Sequence, residues 1–208
     1  MISLDNSNKY TRVDQFMANV IKQAYIGKHK RLKKMNFENL NLKYNKRSSS
    51  NLWAQYENKN NIVLGIHGAD NLKLNLLGIK LLIDMYIDSK ILNRICKKII
   101  KISKNKKNVI IAGHSLGGFA INICLKNGHK LTKNLISFGS YTPKIDNSFS
   151  NNQVRKHLFM NDIFAKKLLL GDKLNNMFVY KNERLINSHS LSNFLRYNMM
   201  NNSLIFYQ

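Results

Sequence analysis

Acidic side chains are scarce in this chain: 11 Asp and Glu stand against 34 Lys and Arg, a formal charge of +23 over 208 residues. Such a balance excludes an acidic, solvating protein and predicts weak, salt-sensitive attraction to anionic surfaces. Proline is almost absent, at one residue, and no Pro-rich or Gly/Ser-rich stretch interrupts the chain, so a single domain over residues 1–208 is expected. Cysteine is limited to Cys96 and Cys124, each inside an apolar helical pattern. Two residues make no disulfide framework, and two buried thiols in a reducing compartment are expected. Long hydrophobic runs are also missing. The longest uncharged stretch, Asn108 to Leu125, is broken by Gly113, His114, Ser115, Gly117 and Gly118, unlike a membrane span. The opening MISLDNSNKY carries Asp5 and no apolar core, so it does not read as a signal peptide. A soluble, intracellular protein is the expectation.

What the chain has in abundance is Asn and Lys: 31 Asn and 27 Lys against 7 Arg, spread over its whole length. This is mainly the signature of an AT-rich coding bias. A sequence-specific nucleic-acid binder relies on Arg for bidentate contacts, so specific nucleic-acid binding is not expected. Peripheral contact with an anionic membrane is the expected consequence of the charge, whatever its origin.

Apolar periodicity orders the chain. Residues 11–26 place Val13, Phe16, Met17, Val20, Ile21, Ala24 and Tyr25 at helical spacing behind Thr11 as N-cap. Lys28 to Lys34 reads as a solvated basic turn. Two neighbouring strands are expected at 52–56 and 62–66, helices between about 74 and 103, and a short buried strand at 109–112. A helix at 119–126 closed by Asn127-Gly128 follows, then strands near 135–139, 153–160 and, last, 177–181. Buried strands alternating with helices predict an α/β fold: a mainly parallel sheet flanked by helices, with strand C-terminal ends on one edge.

The sharpest chemical signal is Gly113-His114-Ser115-Leu116-Gly117, a G-x-S-x-G pattern for which chance supplies roughly 0.04 matches at this composition. The strand VIIA precedes it and FAINICLK, a helix, follows, which is the strand-to-helix context a strained nucleophile requires. Gly113, Gly117 and Gly118 let strand and helix approach closely, and His114 completes the elbow. A serine hydroxyl needs a base, and in this architecture the acid and then the histidine follow it in sequence. His129 sits too near the nucleophile, and His157 lies within a strand pattern. His189, in the loop INSHSLSNF, is the preferred base, with His157 second. Among downstream carboxylates Asp162 ends a strand at the catalytic edge, whereas Asp146 and Asp172 sit where Asp serves turns. The expected oxyanion donors are the backbone N–H groups of Leu116 and Ala69, with Gly68 as second choice for the latter. His67 is read as shaping that turn.

These stations together resemble the class 3, fungal-lipase-like family of the α/β-hydrolase fold. They are IVLGIHGA, VIIAGHSLGGFA, LISFGSYTP, HLFMNDIF and SHSLSNFL, in the family's order over roughly residues 10–200, with GHSLGG the most specific. The resemblance implies that Ser115, Asp162 and His189 form a catalytic triad. It also implies hydrolysis of acylglycerols or phospholipids with neither metal nor organic cofactor. This chain departs from the family in having Ala69 where a hydroxyl residue is usual and His67 where Arg is common. It has only about 46 residues between His67 and Gly113, which implies little or no lid. Leu72 to Ile87 is read as packing on the sheet in preference to forming a short lid. The competing expectation is a hydrolase fold whose chemistry has decayed, kept as a basic membrane- or nucleic-acid-associated protein.

Overall fold

The computed structural model describes residues 11–68, 89–140, 154–159, 162, 177–180, 190–191, 195 and 204–205. Thr11 caps the first helix, α1 (Arg12–Tyr25), as its position suggests. Its hydroxyl accepts the Asp14 amide at 3.3 Å, and the Asp14 carboxylate accepts the Thr11 amide at 2.7 Å, a reciprocal capping box. Phe16, Met17, Val20, Ile21 and Ala24 are all buried, with Val13 and Tyr25 packed beside them. The far end of α1 is closed by Arg31. Its guanidinium donates to the carbonyls of Ala24, Ile26 and Trp53 at 2.9–3.0 Å and to the Tyr44 hydroxyl at 3.1 Å. A cation suits a helix C-terminus. The cluster expected to be a solvated turn is therefore divided: Lys30, Lys33 and Lys34 are exposed, whereas Arg31 is buried because it caps α1.

Among the described residues nine strands pair in chain order in one mixed sheet. A meander of β1 (Lys34–Phe37), β2 (Leu40–Tyr44), β3 (Trp53–Glu57) and β4 (Asn61–Ile66) is antiparallel. From β4 the sheet continues parallel through β5 (Asn108–His114), β6 (Asn134–Phe138), β7 (Val154–Phe159) and β8 (Met177–Tyr180). A two-residue β9 (Leu204–Ile205) returns antiparallel to β8, so β8 is not the last strand as expected. The hairpin β1–β2 is a second addition to the expected elements. Its two-residue turn is Glu38-Asn39, with Glu38 at φ 51°, and carries none of the Gly signals by which such turns are recognised.

Because successive parallel strands step across the sheet in one direction, right-handed crossovers put their helices on one face. The helices α2 (Ser89–Ser103) and α3 (Leu116–Lys126) do share a face, packing Ile95, Ile99, Ile121 and Cys124 on Leu64, Ile66, Ile111 and Leu135. The alternate residues Val63, Ile110, Ala112, Ile136 and Phe138 point to α1 on the other face. This is an α/β architecture with helices on both sides of the sheet. The expected helical residues 74–88 and the segment Leu72 to Ile87 lie outside the described residues. Among the described residues no helix is long and apolar enough to cross a membrane.

Cys96 of α2 and Cys124 of α3 meet across the helix pair, with Cα atoms 5.7 Å apart, and are joined by a disulfide. The expectation of two free thiols is corrected, and the expectation of a reducing compartment loses its support from cysteine usage. Each cysteine does lie in an apolar helical stripe, but that the stripes face each other is a tertiary fact. Closing a loop across 28 residues of separation constrains the unfolded chain by about 3–4 kcal/mol in the chain-entropy model. Alkylation of the denatured, unreduced protein should therefore modify no cysteine. The Cys96→Ser/Cys124→Ser double variant should lose stability of that order in urea titration, and two readily alkylated thiols would contradict the bond.

Candidate active site

The strand β5 runs without a spacer into Ser115, and α3 begins at the next residue. Ser115 adopts φ 51°, ψ −116°, a backbone conformation that a side-chain-bearing residue rarely adopts and that costs on the order of 1–3 kcal/mol. Its neighbours impose it. The Ser115 amide donates to the Phe138 carbonyl of β6 at 3.0 Å, and its own carbonyl accepts the Phe119 amide at 2.9 Å. The turn is so tight that a Cβ at Gly113 would lie 2.3 Å from the Gly117 carbonyl carbon, and one at Gly117 would lie 2.6 Å from the Ile66 oxygen. Gly118 meets Ser137 and Ser140 in the same way. Ser115 occupies the N-cap position of α3, yet its side chain makes no capping hydrogen bond. Helix α3 begins at Leu116, next to Ser115, and the first amides of a helix lack intrahelical partners and favour negative charge.

The turn after β4 presses against this elbow. A Cβ on Gly68 would sit 2.7 Å from the Ser115 Cβ. His67 shapes the turn, as expected, its two ring nitrogens meeting the backbone carbonyls of Gly68 and Asn51. The Gly68 amide donates to the Tyr25 hydroxyl at 2.8 Å, and that hydroxyl lies 2.6 Å from the Nδ1 of His114. The second-choice oxyanion donor is thus already committed inside the protein, which leaves the expectation on Ala69. Ala69 lies outside the described residues.

The register across the sheet aligns His114, Phe138, His157 and Phe178. Ser115 stands one step past that row. Asp162, completely buried, lies three residues beyond the end of β7 on the same edge of the sheet. Strands β5 and β7 are two positions apart, about 10 Å between axes, a gap that a serine, an imidazole and an aspartate can bridge. His189 lies outside the described residues, as do Asp146 and Asp172. Two residues after His189, Leu191 is buried among Phe138, Ile136 and the α1 side chains, with Leu195 packed against the same cluster.

The two other histidines downstream of Ser115 lie among the described residues. His129 is exposed beyond the far end of α3 from Ser115. His157, the second choice for the base, is fully buried, stacked on Phe138 with centroids 4.9 Å apart, its Nε2 3.1 Å from the Asp14 carboxylate. Arg155 reaches the same carboxylate through Nη2 at 2.7 Å and Nε at 3.2 Å. Burial pushes the Asp14 carboxyl up, but His157 and then Arg155 outweigh it and hold it well below the usual carboxylate range. Burial likewise pushes His157 below its ordinary 6.5, with Asp14 opposing. The result is an ionised Asp14 held between Arg155 and His157, a buried clamp between α1 and β7. Residue patterns do not reveal it, because Asp14 looks like an ordinary first-turn helix acid. Tyr25 likewise reads from sequence only as part of an apolar stripe.

Among the described residues, no group of three or more His, Cys, Asp or Glu side chains is placed to hold a metal ion. Compared with known proteins, the chain matches no family model, no curated protein and no solved structure.

The clamp makes the protein acid-labile in two stages. His157 titrates lower in the folded chain than in the unfolded one, so acidification below about 6.5 favours the unfolded state. Asp14 is depressed below its ordinary 3.8, so its stabilisation is full above that value and is lost progressively as pH falls from there through its lower folded value. Melting temperatures should fall from pH 7 to pH 5, and His157→Leu should flatten that slope. Asp14→Ala, which strands the Arg155 charge, should cost about 3–5 kcal/mol at pH 7 in urea titration.

Proposed function

We propose that the protein is a serine-dependent carboxylic-ester hydrolase of the α/β-hydrolase fold acting on lipids, acylglycerol or phospholipid. The observation that carries this reading is the conformation of Ser115, a side-chain-bearing residue held at positive φ between a parallel strand and a helix. Strain of this kind persists where it positions a reacting group. In the proposed reaction the Ser115 Oγ attacks the ester carbonyl carbon as its proton passes to His189, and Asp162 orients that imidazole and stabilises its cation. The carbonyl oxygen gathers negative charge and is received by the amides of Leu116 and Ala69. Collapse of the tetrahedral adduct breaks the ester C–O bond, the alcohol leaves with the proton from His189, and water repeats the sequence on the acyl-enzyme. The supports are the buried Asp162 at the sheet edge shared with Ser115, the turn pressed against the elbow, and the order Ser, Asp, His along the chain.

Charge favours a lipid held in an anionic surface. Lys90, Arg94, Lys97, Lys101 and Lys104 are all exposed and recur every three or four residues along and just past α2, which contains no acid. Of the four described carboxylates, Asp14 and Asp162 are buried, so among the described residues only Glu38 and Glu57 could set negative charge against the stripe.

A fluorophosphonate probe followed by peptide mapping should modify Ser115. Hydrolysis of p-nitrophenyl esters by the wild type should fall at least about 10³-fold in Ser115→Ala. Equal rates for the two proteins, or no label at residue 115, would sink the proposal in favour of a decayed hydrolase. The activity should decline on acidification as His189 gains its proton. Against mixed vesicles, turnover should rise with phosphatidylglycerol content and drop with added salt.

A further inference from the structure

We infer that Tyr25 is a positioning residue for this hydrolysis, its hydroxyl locking the turn after β4 to the nucleophile elbow. The inference rests on the reading of Ser115 as nucleophile. Tyr25 is the last residue of α1, an element that supplies no member of the proposed triad, and its hydroxyl reaches across to the C-terminal edge of the parallel strands. There it meets two segments at once, the Gly68 amide at 2.8 Å and the His114 Nδ1 at 2.6 Å. Since the Gly68 N–H is a donor, the phenol oxygen accepts from it, and the same hydroxyl is hydrogen-bonded to the Nδ1 of His114. The ring is held between the same two segments, its centroid 4.9 Å from that of His67 and 6.0 Å from that of His114.

The consequence is geometric. His114 is bonded in the chain to Ser115, and Gly68 to Ala69, whose amide is the proposed second oxyanion donor. The hydroxyl of Tyr25 therefore ties the turn after β4, as far as Gly68, to the segment that carries the nucleophile. The two segments have no slack between them, since a Cβ added to Gly68 would come within 2.7 Å of the Ser115 Cβ. A bond that fixes donors where charge develops assists the transition state more than substrate binding. Tyr25 acts through the two segments that its hydroxyl joins.

The test compares wild type with Tyr25→Phe, which keeps the ring and removes the hydroxyl. With p-nitrophenyl butyrate, kcat should fall about 10- to 100-fold while KM stays within about twofold. Affinity for an aryl boronic acid, which forms a tetrahedral adduct on the serine, should weaken by a similar factor. A purely structural tyrosine would lower the melting temperature without this split. Unchanged kcat and unchanged boronic-acid affinity in a folded Tyr25→Phe overturn the inference. If Tyr25→Phe does not fold, 3,5-difluorotyrosine placed at position 25 keeps the shape and changes the strength of the phenol's hydrogen bonds; an altered kcat is then expected, and an unaltered one overturns the role. Failure of the underlying reading is recognised separately, because wild type itself would then neither hydrolyse the ester nor take the fluorophosphonate label at Ser115.

Discussion

Backbone crowding around Ser115 is the constraint on which the rest of this structure depends. Strand β5, helix α3, the end of β4 and the turn at Gly68 converge so closely that side chains are excluded from Gly68, Gly113 and Gly117. Their absence lets the one side-chain-bearing residue at the centre, Ser115, be held at φ 51°. Interiors packed to crystal-like density do not yield to small distortions, so the strain at one residue is sustained by the whole parallel sheet. The hydrogen bond from the Ser115 amide to β6 shows how: the elbow is braced by the next strand as well as by its own helix.

Helix α1 spans this arrangement from end to end. Its first turn presents Asp14 to Arg155 and His157 of β7, and its last residue presents Tyr25 to the elbow and the turn after β4. Between them its apolar face covers β3 to β6. A buried ion pair adds little net stability by itself, since desolvation offsets attraction. Its effect here is to fix which residues of α1 lie against which strands, and hence where the hydroxyl of Tyr25 arrives. The same helix therefore links a structural clamp on β7 to the chemistry proposed at β5.

Positive charge is used in two ways. Arg31 and Arg155 are buried and committed to a helix end and a carboxylate. Lys98 donates to the Ser48 carbonyl and to Gln55, and burial, reinforced by Lys101 and opposed by Glu57, pushes its ammonium down to about 8. The cations left facing outward on α2 form the stripe proposed to meet anionic lipid. Coding bias can supply many lysines, but the apolar face of an amphipathic helix decides on which side they stand.

The elements with strong local signals are legible from residues alone. Helix α1 with its Thr11 cap, strands β3 to β8 and the glycine-flanked serine all follow from periodicity and the demand for close approach. The hairpin β1–β2 and strand β9 are not, because Glu38-Asn39 lacks a turn signature and two residues have no period. What only the tertiary structure decided are the pairings: Cys96 with Cys124, Asp14 with Arg155 and His157, Tyr25 with Gly68 and His114. Each joins segments far apart in the chain whose local patterns are satisfied equally well by an ordinary helix stripe or a solvated acid. A sequence determines which face of an element is apolar; which distant polar group waits on the other side of that face is settled when the faces meet.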